Sequence, residues 1–134
     1  MADRIELEVA TPERAVVSEQ VTEVQVPGAN GYLGILPGHA PLLSLLGAGS
    51  LSFTVGGERR FLAVQGGLME VLSGQVRVLA NIAERAEDID LAKARADLER
   101  AQQEMQAAST GGDATAALEA VALARARVAA AERK

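Results

Sequence analysis

Few side chains in this 134-residue chain could carry out acid–base or nucleophilic chemistry. The one histidine, His39, follows Leu36-Pro37-Gly38, a pattern typical of a rigid turn between apolar runs. A lone histidine cannot form a histidine-rich metal site, and no serine or aspartate stands at a nucleophile spacing beside it. The absence of cysteine excludes disulfides, thiol nucleophiles and zinc–thiolate sites. We therefore predict no catalytic residue and no metal site, and we expect a structural or interface role for His39.

Motifs for phosphate binding and for paired carboxylates are also weak. Residues 31–34 contain two glycines, but no GxxxxGK[ST] pattern is present and no GxGxxG pattern introduces a helix. Asp88 and Asp90 stand at the start of an alanine-rich segment, where capping of a helix explains them without an acid–base role.

Composition excludes further classes of protein. Thirteen Lys+Arg against eighteen Asp+Glu give a net charge of −5, which disfavours nucleic acid as the main partner. An apolar content of 49% argues against intrinsic disorder. Residues 1–10 carry charges where a signal peptide needs an apolar run, and no apolar stretch reaches the roughly 18 residues of a membrane span. We expect a soluble, cytoplasmic protein without direct membrane insertion.

The backbone preferences of the sequence change near residue 86. Residues 1–86 contain all 4 Pro and 11 of the 13 Gly, whereas residues 87–134 contain 16 Ala in 48 positions. Glycine and proline are typical of turns, and alanine is typical of helices. We therefore predict two domains, residues 1–86 and residues 87–134, in an α+β fold.

In the first domain, short apolar runs alternate with turn signals. Gly56-Gly57 is a two-residue hairpin signal, and Gly66-Gly67 and Ser73-Gly74 mark further turns. The predicted strands are 5–9, 21–26, 51–55, 60–64, 68–72 and 76–79. Because no helical pattern lies between them, we predict an antiparallel β-sandwich or flattened barrel.

In the second domain, apolar residues recur at spacings of three and four. The two series are Leu91, Ala94, Leu98, Ala101, Met105 and Ala108, and Ala114, Ala117, Val121, Ala124, Val128 and Ala131. Gly111-Gly112 separates them, which predicts an antiparallel two-helix hairpin. Alanine allows close approach but buries little apolar area, so we expect marginal packing that can open or change partners.

One segment carries a far more specific pattern. Residues 31–43 read GYLGILPGHAPLL and closely resemble the signature stretch of the epsilon subunit of bacterial F-type ATP synthases. The resemblance continues through GGLMEV at 66–71, VRVLA at 76–80 and AERAEDID at 83–90, and it covers essentially the whole chain.

This resemblance implies a non-catalytic subunit of the rotor, or central stalk. The sandwich of that family joins the gamma subunit to the c-ring, and its helical hairpin either lies on the sandwich or extends along gamma into the alpha/beta catalytic head, where it inhibits ATP hydrolysis. No cofactor is required. The implied location is the cytoplasmic face of the bacterial inner membrane, with attachment only through the ATP synthase complex.

The resemblance also implies interface residues for gamma and the c-ring. The candidates are Tyr32, His39, Ala40 and Leu42. Tyr32 replaces an acidic residue of some relatives, so hydrogen bonding and apolar contact would replace charge attraction to the c-ring there. Alternatively, Leu42 or Leu43 is a core residue.

Some members of the family bind regulatory ATP through Ile or Leu, Asp, two variable residues, Arg and Ala. The corresponding residues here are Ile89, Asp90, Lys93 and Ala94, with Arg127 as a further candidate. Lys93 replaces the arginine, and lysine meets a phosphate as a point charge without the bidentate fork. Alternatively, these basic residues only solubilise the helices or pair with nearby acids.

Basic residues near the end of the second helix are candidates for inhibitory contacts with acidic surfaces of the catalytic head. They are Arg125, Arg127 and Arg133. They also complement the negative end of the helix dipole. Two other functions stay open at this point: a free-standing β-sandwich binding module with a helical oligomerisation tail, and an enzyme with its active site around His39.

Overall fold

The computed structural model describes residues 3–108 and 114–133. In this part of the chain, eight strands are followed by two helices. The strands are β1 (Ile5–Ala10), β2 (Ala15–Val21), β3 (Glu23–Gly28), β4 (Gly31–Ile35), β5 (Leu42–Leu45), β6 (Ala48–Val55), β7 (Glu58–Leu72) and β8 (Gln75–Arg85). A short 3-10 helix, Ala86–Asp88, leads to α1 (Leu91–Ala108) and α2 (Thr115–Glu132).

The strands form one open sheet that folds over itself into a sandwich. Their order is β2-β1-β8-β7-β6-β3-β4, and β5 also pairs with β7. All pairs are antiparallel except β1 with β8. Aliphatic side chains fill the space between the two layers, with Phe53 as the one aromatic residue of the main core. The predicted fold class is confirmed.

A bend in β7 produces the two layers. The sequence predicted a turn at Gly66-Gly67 between two strands, and this prediction is wrong: β7 continues to Leu72, and its pairing with β8 keeps one register on both sides of the bend. Both glycines have positive φ, 70° and 106°, and a Cβ atom at Gly67 would overlap the carbonyl oxygen of Leu79. Glycine therefore bends the strand here instead of ending it, so that β7 pairs first with β6 and then with β5.

The other two turn signals behave as predicted. Gly56 and Gly57 have positive φ in the turn that joins β6 to β7, and Gly74 has positive φ in the turn that joins β7 to β8. The predicted strand 21–26 is divided, since Val21 ends β2 and β3 begins at Glu23. The remaining part of β2, together with β4 and β5, was not predicted as strand.

The two helices pack through the predicted stripes. Ala94 and Ala101 of α1 and Val121 and Ala124 of α2 are buried. The backbone N–H of Lys93 donates to Oδ1 of Asp90 at 3.1 Å, so Asp90 caps α1 as predicted. The interruption predicted at Gly111-Gly112 lies outside the described residues. In the described part of the chain, no helix has the length and apolar character needed to cross a bilayer.

A second buried face of α2 was not predicted. Ala126 and Ala130 lie in a small cluster with Ala63 of β7, Ala86 and Ile89. The hairpin therefore rests on the sandwich through α2, and almost all the fully enclosed side chains at this junction are alanine. The division at residues 86 and 87 falls within the 3-10 helix between the two parts, and their independence as domains stays a prediction.

Candidate functional site

A cleft of about 350 Å³ lies where the sandwich meets the hairpin. Ile89, Asp90, Lys93, Ala94 and Arg127, the five residues predicted for nucleotide binding, all line it. Arg14, Glu84, Asp88 and Asp97 complete the lining. The fold thus brings the first turn of α1 next to the C-terminal half of α2, where the small side chain of Ala94 is buried with Ala126, Ala130 and Ala131.

An ion pair between Arg127 of α2 and Glu84 of β8 crosses the cleft. Nε of Arg127 donates to Oε1 of Glu84 at 2.6 Å, and its Nη2 donates to Oε2 at 3.0 Å. Both side chains are about one-third exposed. The hydrogen bonds to Glu84 raise the pKa of Arg127 above its ordinary value, against an opposing effect of burial. This two-pronged contact between guanidinium and carboxylate fixes the orientation of both groups.

The second cation of the cleft is paired within α1. Nζ of Lys93 lies 3.3 Å from Oδ2 of Asp97, and Nη2 of Arg100 lies 2.7 Å from Oδ1. The hydrogen bond from Lys93 and the positive charge of both partners lower the pKa of Asp97. The cleft therefore has three basic and four acidic side chains, and two of the three cations already have an internal partner. These cations do not fit a polyphosphate in this arrangement: to bind one, Lys93 and Arg127 have to release the carboxylates of Asp97 and Glu84.

The end of α2 is attached to the sandwich by an aromatic contact. The guanidinium of Arg133 lies 5.5 Å from the ring centroid of Phe61, and that of Arg59 lies 5.9 Å from it. Of the three arginines predicted to contact the catalytic head, Arg127 and Arg133 are thus in contact with the sandwich, whereas Arg125 is exposed.

The predicted interface residues of the 31–43 segment do not form one cluster. Tyr32 is in β4, and its hydroxyl oxygen accepts a hydrogen bond from the backbone N–H of Ser50 in β6 at 3.0 Å. His39 lies in the loop after β4, beside the turn between β7 and β8, and its Nδ1 is 2.6 Å from the carbonyl oxygen of Ala40. The two rings are at opposite ends of β4, roughly 10 Å or more apart along the strand.

The side chains of β5 alternate between the core and the outside. Leu42 is partly buried against the main core, whereas Leu43 and Leu45 are each 68% exposed. Leu45 pairs with Leu68 of β7, and Leu68 pairs with Leu79 of β8. These four exposed leucines, Leu43, Leu45, Leu68 and Leu79, form what we call the outer leucine row. An exposed apolar patch of this kind is typical of a protein interface.

Comparison with known proteins gives the family. The sequence model described as the beta-sandwich domain of the ATP synthase delta/epsilon chain matches residues 4–86. The ATP synthase epsilon chain of Solibacter usitatus (strain Ellin6076) is 59% identical over 134 residues, which is 100% of both chains. That of Koribacter versatilis (strain Ellin345) is 49% identical over 106 residues, or 79% of this chain and 75% of the relative. The chain belongs to the ATP synthase epsilon chain family.

A solved structure shares the fold of this epsilon family member. A chain in the cryo-EM structure of the Euglena gracilis mitochondrial ATP synthase, OSCP/F1/c-ring in rotational state 1, superposes with a TM-score of 0.80. The match covers 92% of the present chain and 79% of that chain, at 23% sequence identity. The likeness includes the helices as well as the sandwich, since the sandwich alone occupies a smaller share of the chain.

Sequence reasoning missed several residues that matter at the surfaces of this epsilon chain. Glu84 and Phe61 were not predicted as contacts of the helical hairpin, because a single acid or aromatic residue in a strand gives no signal for a partner far along the chain. The outer leucine row had a detectable signal. In 42–45 and 68–72, apolar residues occur at both odd and even positions, which indicates apolar side chains on the outer face as well as in the core.

Proposed function

We propose that this chain is a non-catalytic rotor subunit that joins the gamma subunit of an F-type ATP synthase to the c-ring and inhibits ATP hydrolysis through a mobile helical hairpin. Membership of the epsilon family supports the assignment to the complex. The fold relative from Euglena gracilis comes from an ATP synthase complex that includes F1 and the c-ring. The proposed location follows: the cytoplasmic face of the bacterial inner membrane, with attachment only through the complex.

The sandwich provides the fixed surfaces of the proposed rotor contacts. The outer leucine row is the surface we assign to gamma, because its exposed leucines lie on three neighbouring hydrogen-bonded strands and gain most from burial against a partner. The loop that holds His39 and Ala40, together with Tyr32, is the surface we assign to the c-ring and its junction with gamma. Leu42, the first residue of β5 after this loop, packs against the core.

The single observation that carries the inhibitory role is the alanine-rich contact between α2 and strands β6 and β7 of the sandwich. Its enclosed side chains are mainly alanines, and burial of one methyl or methylene group contributes only about 0.8 kcal/mol. Polar contacts of the described residues across this junction include the Glu84–Arg127 pair, the contact of Arg133 with the ring of Phe61 and a hydrogen bond from Gln65 to Glu119. A contact of this kind allows two arrangements of the hairpin, docked and extended.

In the extended arrangement, we propose that Arg125, Arg127 and Arg133 contact acidic surfaces of the alpha/beta head. All three lie within the last nine residues of the described part of α2 and its cap, so one helix end would present them together. Restraint of rotation then follows from a helix wedged between gamma and the head, and no turnover by this chain is involved.

A matched pair of proteins tests this proposal. The full chain and a version ending after Ala86 are each combined with a catalytic head that contains gamma. We expect both to co-purify with gamma and only the full chain to slow ATP hydrolysis. If neither binds gamma, and the full chain instead self-associates through its helices, the chain is a free-standing binding module with a helical oligomerisation tail. Loss of a turnover activity in His39→Ala with assembly intact would point to an enzyme.

As a second function, we propose that the cleft takes up a nucleotide as a regulatory ligand. The supporting observation is that Ile89, Asp90, Lys93, Ala94 and Arg127 line one cavity of about 350 Å³, within the range of small-molecule sites. The phosphates would have to replace Glu84 at Arg127 and Asp97 at Lys93. Titration of the full chain with ATP, next to Lys93→Arg, tests this. We expect tighter ATP binding by the arginine variant, because a guanidinium can bind phosphate in a bidentate way. Equal binding of ATP by the two proteins would contradict this proposal.

A further inference from the structure

Two of the three arginines assigned to the catalytic head, Arg127 and Arg133, already have partners when the hairpin is docked. Both carboxylate oxygens of Glu84 are occupied by Arg127, and the ring of Phe61 is covered by Arg133. While these contacts hold, both guanidinium groups stay at the surface of the sandwich, away from the catalytic head. The docked and extended arrangements therefore compete for the same side chains.

We propose that Glu84 is a built-in latch: its carboxylate holds Arg127, keeps the hairpin docked without any ligand, and so opposes inhibition of ATP hydrolysis. This inference rests on the proposed inhibitory role of the hairpin. In this proposal Glu84 opposes inhibition, whereas Arg127, the arginine that it binds, contributes to inhibition.

The position of Glu84 suits a latch. It lies near the end of β8, where it pairs with Ala63 of β7, and Ala63 pairs on its other side with Ser50 of β6. The backbone that carries its carboxylate is therefore rigid, whereas Arg127 is on the element that moves. Partial burial of both partners strengthens the pair relative to a fully exposed one.

The pair also connects two parts of the chain that have few other polar contacts. Glu84 and Arg127 are 43 residues apart in sequence. Most other ion pairs of the described residues join side chains within the sandwich or within α1. The pair of Arg85 with Glu87 joins β8 to the 3-10 helix that directly follows it. The pair of Arg95 with Glu132 joins the two helices to one another and moves with the hairpin. Glu84–Arg127 is thus the ion pair, among those of residues 3–108 and 114–133, that joins sandwich to hairpin.

Glu84→Gln tests the latch with little change in volume. The full chain is assembled with a catalytic head that contains gamma. The docked fraction is measured by energy transfer between dyes attached at Glu58→Cys and Ala120→Cys. These are the only cysteines of the subunit, because the chain has none of its own. We expect the ratio of extended to docked hairpin to rise about three- to tenfold, from the loss of one partly buried bidentate pair. ATP hydrolysis should slow accordingly.

The matched control is Glu13→Gln. Glu13 lies in the loop after β1, next to Arg14 of the cleft, and its side chain is exposed. This substitution removes the same charge from the same side of the sandwich, so we expect no change in either readout. An equal effect of both substitutions would mean that the change in net charge, and not the Glu84–Arg127 pair, controls the hairpin. That result would overturn the latch.

A charge exchange separates the latch from the inhibitory contact. In Glu84→Arg with Arg127→Glu, the pair is restored with the opposite polarity, and the arginine is removed from the moving helix. We expect the docked fraction to recover relative to Glu84→Gln, and inhibition to be weak because Arg127 is absent. A docked fraction unchanged in Glu84→Gln, with gamma binding intact, would overturn the latch. If the dyes separate as expected but hydrolysis never responds to the hairpin, the latch stands and the proposed inhibitory function fails.

Discussion

The side-chain amide of Gln65 donates a hydrogen bond to the backbone carbonyl oxygen of Glu119, 2.9 Å away, across the groove between β7 and α2. Gln65 immediately precedes the two glycines that bend β7, so the moving helix is attached beside the point where the sheet folds over. The bend that forms the sandwich thus also positions the surface that receives the hairpin.

The first prediction concerns that bend. Gly67→Ala places a methyl group against the carbonyl oxygen of Leu79 at a φ of 106°, so we expect a loss of stability of roughly 1–3 kcal/mol or more. Gly34→Ala is the control, because a Cβ atom there meets nothing within 4 Å. Denaturant unfolding of the full chain measures both, and equal stability of the two variants would contradict the role of the bend.

The second prediction concerns the alanine contact between α2 and the sandwich. Ala130 is fully buried, so Ala130→Leu should separate the helix from β7 at a cost of about 1–3 kcal/mol. Ala129→Leu adds the same atoms at an exposed position and should change little. Hydrogen exchange of the α2 amides measures the effect. Unchanged protection in Ala130→Leu would mean that the helix does not rest on the sandwich through this face.

The third prediction concerns the outer leucine row. Leu43→Asp and Leu45→Asp should abolish co-purification with gamma and leave the unfolding midpoint almost unchanged, because both side chains are exposed in the free chain. Leu118→Asp is the control, since this leucine is also exposed but lies on α2. Retention of gamma by both sandwich variants would exclude this row as the docking surface.

The fourth prediction concerns acid pH. Lys93 and Arg100 lower the pKa of Asp97 in the folded chain relative to the unfolded value near 3.8. The contribution of Asp97 to stability is therefore complete above that unfolded value and is lost as the pH falls through the lower folded pKa. We expect the stability difference between the parent chain and Asp97→Asn to narrow below about pH 4. A difference that stays constant down to pH 2 would contradict this.

The elements set by local patterns were predictable from the sequence. The stripes of Ala94, Ala101, Val121 and Ala124 follow from helical periodicity, and the cap at Asp90 follows from the chemistry of a helix start. The resemblance of the 31–43 segment then selected the family, which composition alone could not do.

Features that depend on distant contacts were not predictable. A glycine pair has the same sequence signal at a turn and at a bend within a strand, so Gly66-Gly67 was assigned wrongly. The second buried face of α2 was not predicted, because its residues, Ala126 and Ala130, are small and do not change the spacing of apolar residues along the helix. Glu84 gave no signal because its partner lies 43 residues away.

The most direct test of the inhibitory hairpin uses one protein in two states. In a variant with Gln65→Cys and Glu119→Cys, a short reducible bis-maleimide fixes α2 in its docked position, where these residues are in contact. The variant is assembled with a catalytic head that contains gamma, and ATP hydrolysis is measured before and after reduction. We predict rapid hydrolysis while the cross-link is present and slower hydrolysis once it is cleaved, as the hairpin extends. Equal rates before and after reduction, with the subunit still bound to gamma, would contradict the account.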